Sequence, residues 1–418
     1  MSRKKVYASV EIADREVRLA ILEVFEGRIN VLRVERVACQ GVVDQKIVDE
    51  VKVVQALRDA LNHAQAALGF RIERVLLAIP SVNVRRTSQR AHIQIEDGTK
   101  SIRLFHIQQG YSKVIQKKLG DDVELVNTNR ISYRVNDEVF DKMPIDEECE
   151  DFYMDVDLLY ADKTTIYSYV RCIEQANLEI LDLCLDSYAI AQESAVQVKS
   201  EDRNVVQLDL EANHCVLSLF ADGKLMSCAN LEKGYNSFIE ELKTKYDLTD
   251  DVCFRLLQNI FTADEEDAGD VIVYIEQQED RRVEISSKEL METCLPKIRS
   301  WIDEVNKACE PIIKQKKTLY VLTGKGADIA VMKSFMKQFN SDAEVYLPQS
   351  VGARNGAYVC CLGMIYAFDD INKIRHTEQT SPNNNELEAS IDSIRQRSRS
   401  GEGGFTKKLK SVILTEED

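Results

Sequence analysis

RNVVQLDLEANHCVLSLFADGKL, residues 203–225, is a strand–turn–strand pattern near the middle of the chain. The first predicted strand covers residues 205–210, a four-residue turn follows, and the second strand covers residues 215–220. Ala221-Asp222-Gly223-Lys224 closes the second strand, and its Asp-Gly pair favours a tight hairpin turn. The pattern predicts a β-hairpin in an α/β protein, without fixing which one.

Length and composition limit the class of protein. At 418 residues the chain exceeds one compact core, since domains usually hold about 100–200 residues, so we expect two lobes with insertions. A net charge of −16, from 70 acidic and 54 basic residues, argues against a general nucleic-acid binder. No apolar run approaches the ~20 residues needed to cross a bilayer.

Cysteine and histidine usage bears on compartment and metal binding. Eleven cysteines are scattered without a Cys-x-x-Cys motif, which is typical of the reduced thiols of a cytosolic protein. Only five histidines are present and none stands at a ligand spacing to a cysteine, so we expect no metal site.

Hydrophobic periodicity predicts strands and helices along most of the chain. Val54, Leu57, Leu61 and Ala64 recur at helical spacing and predict a helix over residues 51–68. The other predicted helices cover 102–119, 163–175, 187–197, 235–245, 250–261, 330–339 and 358–368, and one more runs from the capping pattern Ser286-Ser287-x-Glu289 to Cys309. The other predicted strands cover 6–10, 18–24, 29–38, 75–79, 92–95, 124–135, 155–160, 180–184, 271–276, 281–285 and 319–322.

The C-terminal segment differs in composition from the rest. Residues 376–404 are rich in Ser, Asn, Glu, Arg and Gly, which cannot bury enough apolar surface to fold, so we expect a flexible linker. A basic amphipathic segment beyond such a tether is typical of membrane-surface binding, and a packing helix or frayed tail would have the same pattern. The predicted membrane-binding residues are the apolar Phe405, Leu409, Val412 and Ile413 and the basic Lys407, Lys408 and Lys410.

The order of these parts resembles the bacterial actin-like cell-division protein family FtsA. The resemblance covers residues 5–376 and rests on two strand–turn–strand units, a late strand followed by Thr-Gly-x-Gly, and an αβ module inserted in the first half. Residues 156–166, VDLLYADKTTI, and 170–180, VRCIEQANLEI, are similar to the segment in which the family's chain leaves the inserted module. Arg90-Ala91-His92-Ile93 is similar to the start of that module.

The resemblance implies a fold class and a division of the chain. The implied fold is α/β, a two-lobed actin-like, ribonuclease H-like ATPase fold with an inserted small αβ subdomain of the SHS2 type. The implied parts are lobe 1 at residues 1–83, 162–198 and 350–375, the inserted subdomain at 84–161, the core of lobe 2 at 199–235 and 317–349, its outer subdomain at 236–316, the linker at 376–404 and the tail at 405–418.

The family's nucleotide motifs are changed in this chain. The family's first phosphate turn, Asp-x-Gly-Thr/Ser, is here 11–14, EIAD, and the three glycines of its second turn are replaced at 211–213, EAN. The Ala-Glu-x-x-Lys helix on the adenosine side aligns with 253–257, CFRLL, and the late motif survives as 322–327, LTGKGA, with Lys325 in place of a glycine. The resemblance therefore implies a degenerate nucleotide cleft formed by Glu11, Ala13, Asp14, Asp209, Glu211, Asn213, Gly234, Gly324, Lys325 and Gly326.

These replacements bear on the cofactor that the resemblance implies, ATP with Mg²⁺. Carboxylates at both phosphate turns would repel a polyanion in a confined cleft by an amount on the order of several kcal/mol, which Mg²⁺ or Lys325 would offset in part. We expect a pseudo-ATPase without catalytic residues; ordinary ATP binding by a divergent sequence is the alternative.

The implied function is that of an adaptor. FtsA proteins link the tubulin-like FtsZ ring to the cytoplasmic face of the plasma membrane at the division septum, form actin-like filaments and recruit other division proteins. They receive the FtsZ C-terminal tail on a helix with Pro-Arg-x-x-Glu, and Pro296-Lys297-Ile298-Arg299-Ser300 aligns with it. The expected partner-binding residues are Lys297, Arg299 and Trp301, and a merely structural amphipathic helix is the alternative.

Two other functions remain open on the sequence. The first is a functional ATPase or small-molecule kinase of the same fold superfamily, which needs a glycine-lined phosphate path that this chain lacks. The second is the pilus-assembly adaptor PilM, which shares the inserted module. The amphipathic tail favours the division adaptor, because PilM is recruited by a membrane-protein partner.

Overall fold

The first lobe begins with strands that form an antiparallel meander. In the computed structural model, which describes residues 4–263, 270–278 and 281–383, strand β1 (Lys5–Ile12) pairs with β2 (Glu16–Phe25), and β2 pairs with β3 (Arg28–Ala38). The short strands β4 (Val42–Val43) and β5 (Lys46–Ile47) precede helix α1 (Glu50–Leu68), and β6 (Arg74–Ile79) then pairs parallel to β1. Helix α1 confirms the helix predicted over 51–68, with the Asp49 side chain accepting a hydrogen bond from the Lys52 amide.

A second, four-stranded antiparallel sheet follows β6 and has its own hydrophobic core. Its elements are β7 (Arg85–Gln94), helix α2 (Leu104–Ile115), β8 (Val123–Val135), β9 (Glu138–Phe140) and β10 (Asp151–Asp162). The strand order is β7-β10-β8-β9, and α2 packs on the face that β7 and β10 present. The chain then returns to the first sheet through α3 (Lys163–Gln175) and β11 (Glu179–Leu185), giving the order β11-β6-β1-β2-β3.

The second lobe begins after helices α4 (Asp186–Glu193) and α5 (Val196–Lys199). It comprises β12 (Asn204–Leu210), β13 (Cys215–Ala221), β14 (Lys224–Leu231), α6 (Asn236–Tyr246), α7 (Asp250–Gln258), β15 (Ile272–Gln278), β16 (Arg281–Ser286), α8 (Ser287–Ile313), β17 (Thr318–Thr323), α9 (Met332–Phe335) and β18 (Asp342–Val345). Its main sheet has the order β14-β13-β12-β17-β18. The hairpin predicted over 205–220 is confirmed, and Asp222 and Gly223 take the positive φ of its next turn.

The two lobes share one continuous apolar core. Helix α10 (Val359–Arg375) packs on α4 and on the first sheet, and α4 also contacts β12 of the second sheet. Val205, Phe220 and Leu319 of the second lobe belong to the same buried cluster as Ala189 of α4 and Leu362 of α10. The lobes are therefore joined by hydrophobic packing at the end where α4 and α10 lie.

The chain after α10 is fixed to the first lobe as far as it is described. The Ser381 side chain accepts a hydrogen bond from the Ala8 amide at 2.7 Å, and its amide donates to the Val6 carbonyl. Its carbonyl accepts from the amides of Glu73 and Arg74, so one residue joins β1 to β6. Within the linker predicted over 376–404, Thr380, Ser381 and Pro382 are buried against the first lobe, whereas His376, Glu378, Gln379 and Asn383 are exposed. Residues 384–404 lie outside the described residues.

Other sequence predictions were wrong in extent. Strand β7 is longer than the predicted 92–95, because its first half is a polar edge strand without an apolar pattern. The helix predicted over 187–197 is divided at Ala195, which has φ +55°, and the helix predicted over 330–339 is reduced to α9 and a 3₁₀ turn. Strand β14 was not predicted, since Leu225 is its one fully buried residue.

Candidate functional site

The two turns compared above with phosphate turns face each other where the lobes meet. Glu11 is the penultimate residue of β1 in the first lobe, and Glu211 follows β12 in the second. A small cavity is lined from both sides, by Glu11, Ala13 and Asp14 and by Asp209 and Glu211. Five of the predicted cleft residues therefore lie together.

The guanidinium of Arg18 fills the space between these turns. The β1–β2 register sets Arg18 opposite Glu11, and its side chain is only 3% exposed. Its Nη2 and Nη1 donate to Glu211 Oε2 and Oε1 at 2.6 and 3.1 Å, while Nη1 also lies 3.3 Å from both Glu11 oxygens. Its Nε donates to Glu16 Oε1 at 2.8 Å. A bidentate salt bridge such as that between Arg18 and Glu211 is among the stronger polar contacts in proteins. It joins the two lobes.

Arg18 and Glu16 were not predicted as site residues. A signal existed in the sequence, because Arg18 is the one cation in the otherwise apolar run 17–22 and Glu11 is an anion on the preceding strand. A buried charge needs a partner of opposite charge, so Arg18 and Glu11 on neighbouring strands indicated a buried polar site.

Lys325 makes a second connection between the lobes. Its amide donates to Glu211 Oε1 at 3.1 Å, and its Nζ lies 3.3 Å from Glu16 Oε2 in the first lobe. The same ammonium lies 4.8 Å from the centroid of the Phe254 ring, a favourable cation–π distance. The sequence resemblance aligns Phe254 with the glutamate of the family's adenosine-side helix, and in this structure its ring faces the Lys325 ammonium instead.

Asp14 and His214 form a third connection. Asp14 Oδ2 and His214 Nδ1 lie 3.3 Å apart, and the Gln45 amide donates to Asp14 Oδ1 at 2.9 Å. The Gln45 side chain lies 2.7 Å from His214 Nε2. Asn213, a predicted cleft residue, instead bonds Asn236 within the second lobe.

The surviving glycines are required by the turns themselves. Gly324 has φ +76° and ψ −173°, and a Cβ there would lie 2.5 Å from Asp209 Oδ1. A Cβ on Gly234 would lie 2.2 Å from the Glu211 carbonyl oxygen, and one on Gly326 would contact the Leu210 side chain. Packing against the neighbouring turn explains all three glycines without a ligand.

The pKa values of the acidic groups at this site are shifted in different directions. Burial raises the pKa of Glu11 to about 7, since the nearby Arg18 offsets the loss of water only in part. Burial acts in the same direction on Glu16, but Arg18 and Lys325 outweigh it and hold the Glu16 pKa at about 2. Burial and the neighbouring Glu211 raise the pKa of Asp209 well above its usual value, which favours its protonated form.

The Asp14–His214 pair is stabilised in its charged form. Burial lowers the pKa of His214, but the Asp14 carboxylate outweighs burial and raises it overall. Burial likewise raises the pKa of Asp14, and the contact with His214 outweighs it and lowers that pKa. Both shifts favour the ionised carboxylate and the protonated imidazole, which face each other across the lobe boundary.

ATP with Mg²⁺ does not fit the residues at this site. The remaining cavity has a volume of about 30 Å³, whereas small-molecule sites usually enclose about 300–1,000 Å³. Carboxylates border it from both lobes, and the two cations that could meet phosphate are paired with them. Among the described residues there is no cluster of three or more His, Cys, Asp or Glu side chains suited to a metal ion.

The predicted partner-binding residues lie on α8 in different environments. Lys297 is exposed, and the Arg299 guanidinium lies 5.8 Å from the Phe335 ring centroid. Trp301 is buried between Phe238 and Phe339 in the core of the second lobe, so its assignment to a partner surface was wrong. Its helical spacing is that of a core residue.

A larger groove of about 700 Å³ lies between the inserted sheet and α10. Two ion pairs lie along it, both at 2.7 Å: Arg130 with Asp141 within the inserted module, and Arg375 of α10 with Asp182 of β11. Apolar residues of its floor include Phe368 and Ile371. No local sequence pattern indicates this groove, because its walls come from distant parts of the chain.

The predicted tail residues 405–413 lie outside the described residues. Within the described part of the chain, no helix combines the length and apolarity needed to span a bilayer.

Comparison with known proteins establishes the class of fold. The structure matches a PilM–PilN type IV pilus biogenesis complex with a TM-score of 0.56 at 13% identity, covering 87% of this chain and 98% of that one. It matches MreB5 of Spiroplasma citri bound to ADP with a TM-score of 0.51 at 11% identity, covering 89% and 99%. The chain therefore has the two-lobed α/β fold of actin-like ATPases, as the sequence predicted.

Sequence comparison gives more specific relatives. The chain is 22% identical over 381 residues to cell division protein FtsA of Bacillus subtilis, covering 87% of this chain and 84% of that protein. It is 20% identical over 408 residues to FtsA of Staphylococcus epidermidis, covering 96% and 87%. No protein-family model matches the chain. The similarity to FtsA proteins is thus distant but extends over most of both chains.

Proposed function

We propose that this protein is an actin-like cell-division adaptor that links FtsZ to the cytoplasmic face of the membrane at the division septum. The observation that carries the proposal is the similarity to FtsA proteins over nearly the whole chain. The inserted four-stranded sheet between β6 and α3 supports it, because its position agrees with the SHS2-type module that the resemblance implies.

The adaptor acts without ATP hydrolysis. The cations and carboxylates at the lobe boundary bind each other, and the cavity left between them is too small for a nucleotide. A protein that links FtsZ to the membrane needs to bind both, and this does not require hydrolysis of ATP in the cleft between the lobes.

The membrane end of the link is the amphipathic tail. Burying Phe405, Leu409, Val412 and Ile413 at a lipid interface yields a few kcal/mol after ordering costs, and each lysine adds about 1 kcal/mol near anionic lipid. Glu416, Glu417 and Asp418 act against it. Such an anchor is weak and reversible, so self-association of the adaptor into filaments supplies the avidity that holds it at the membrane.

The FtsZ end of the link is the exposed side of α8 around Lys297. An acidic peptide would be attracted to Lys297 and Arg299, which are the positions that align with the family's motif. Since Ser300 stands where the family has glutamate, the tail recognised here differs in sequence from the usual one. The groove between the inserted sheet and α10 would suit a segment of another division protein, because both apolar and charged residues line it.

A recruitment assay tests both ends together. A fluorescent peptide that copies the C-terminal tail of the organism's own FtsZ is mixed with the full chain and phosphatidylglycerol-containing vesicles, and the vesicles are pelleted. We expect protein and peptide in the pellet. Leu409→Glu with Ile413→Glu removes both from the pellet, whereas Ser411→Glu with Thr415→Glu, which adds equal charge on the polar side, retains more protein.

A second pair of variants tests the peptide site. Lys297→Glu leaves the protein in the pellet and releases the peptide, while the matched Lys288→Glu, on the exposed first turn of the same helix, retains both. Failure of the wild-type protein to bring down any peptide refutes the division role. Vesicle binding by a chain that ends at residue 383 would favour a PilM-type adaptor recruited through its folded part.

A further inference from the structure

The lobe boundary combines an apolar joint with charged pairs beside it, since Asp186 at the start of α4 lines the cavity between the charged turns. At the joint, α4 and α10 pack between the sheets in one apolar cluster. At the cleft, opposite charges from the two lobes bind each other: Arg18 with Glu211, Glu16 with Lys325, and Asp14 with His214. Each lobe contributes both an anion and a cation to these pairs.

We propose that these three pairs form a lobe latch, which keeps the cleft closed by the protein's own side chains in place of a nucleotide. Arg18 is its central member. Glu11 and Glu16 of the first lobe and Glu211 of the second all contact the one guanidinium.

Removing the guanidinium would leave Glu11 and Glu16 of the first lobe and Glu211 of the second without the group that all three contact at a buried boundary. Glu11 and Glu211 bind the same Nη1 atom, at 3.3 and 3.1 Å, so no other group separates them. A buried carboxylate that loses its counter-ion takes up a proton, as the raised pKa of Glu11 allows, or draws in water, and either change removes the contact by which Arg18 joins Glu211 to the first lobe. The route open to the molecule is rotation about the α4–α10 joint, which parts the charges and leaves the apolar core intact.

The same hairpin offers a matched control. Arg15 lies three residues from Arg18, and its Nη1 binds Asp250 of the second lobe at 2.5 Å. These side chains are 44% and 36% exposed, against 3% for Arg18. Exposed pairs contribute little, because water and salt screen them. The latch therefore depends on Arg18 and hardly on Arg15, although both reach across the boundary.

Amide hydrogen exchange of the full chain tests this proposal. In Arg18→Gln, exchange over residues 11–18 and 209–216 should rise by at least about tenfold, while α10 stays protected, because loss of a buried pair favours local opening. In Arg15→Gln the rise should stay below about twofold. In the double variant Arg18→Gln with Glu211→Gln, exchange should fall back towards wild type, because the facing carboxylate is gone.

The proposal is overturned if Arg18→Gln and Arg15→Gln behave alike, if exchange rises equally in α10, or if the double variant opens further than Arg18→Gln. A second exchange experiment uses the wild-type protein only. Millimolar Mg-ATP should leave exchange at the cleft of the wild-type protein unchanged. Slower exchange with Mg-ATP would mean that a ligand, not the latch, closes the lobes, and this experiment decides the matter if Arg18→Gln does not fold.

Discussion

Gly324→Ala should destabilise the protein strongly even though no ligand is involved. The backbone there, at φ +76° and ψ −173°, lies in a region that only glycine adopts easily, and alanine would cost about 1–3 kcal/mol for conformation alone. Its Cβ would also lie 2.5 Å from Asp209 Oδ1 and 3.0 Å from the Leu210 carbonyl oxygen. Displacing these buried atoms adds about 1–3 kcal/mol, so we expect a loss of about 4 kcal/mol in the free energy of unfolding.

Gly27→Ala is the matched control. Gly27 has φ +75° in the β2–β3 turn, and a Cβ there would meet no atom within 4 Å, so only the conformational cost of about 1 kcal/mol applies. Urea unfolding followed by circular dichroism measures both variants, and the fluorescence of the single tryptophan, Trp301, reports the second lobe. If both variants lose the same free energy, Gly324 is not held by its contact with the second turn, and the structural explanation of the surviving glycines is refuted.

Two further predictions concern nucleotide and pH. Calorimetric titration of the full chain with Mg-ATP should give a dissociation constant weaker than about 100 µM, roughly −5.5 kcal/mol, and no turnover; low-micromolar binding would contradict the assignment of a degenerate cleft. Because the folded-state pKa of Glu11 is raised from 4.5 to about 7, its protonated form stabilises the fold fully below pH 4.5, and this contribution is lost as the pH rises to 7. Glu11→Gln should therefore reduce the loss of stability between pH 4.5 and 7 by up to about 3 kcal/mol. Thermal midpoints measured over that pH range test this. If the pH dependence of the midpoint is the same in the variant and the wild type, Glu11 is not the group responsible.

The hydrophobic pattern predicted most elements because their burial follows local periodicity. Helix α3 agrees with its predicted limits, and β12 and β13 agree within a residue. The polar half of β7 has no apolar periodicity, and it could be predicted as a strand only if its partner strand, β10, were known.

The candidate site was predicted only in part, because sequence comparison identifies replaced motifs but not their new partners. The resemblance located Glu11, Glu211 and Lys325, yet the cation that binds both glutamates came from a strand without a family motif. Trp301 shows the converse error, since alignment with a binding motif outweighed its core spacing. Contacts such as Arg18 with Glu211, 193 residues apart, depend on how the lobes close.

The attachment of Ser381 determines where a mechanical load on the C-terminal segment enters the folded body. Tension on the chain beyond residue 383 meets hydrogen bonds to both β1 and β6 before it reaches the end of α10. The force therefore acts on the sheet of the first lobe, through several hydrogen bonds of Ser381 at once. Helix α10 experiences less of it.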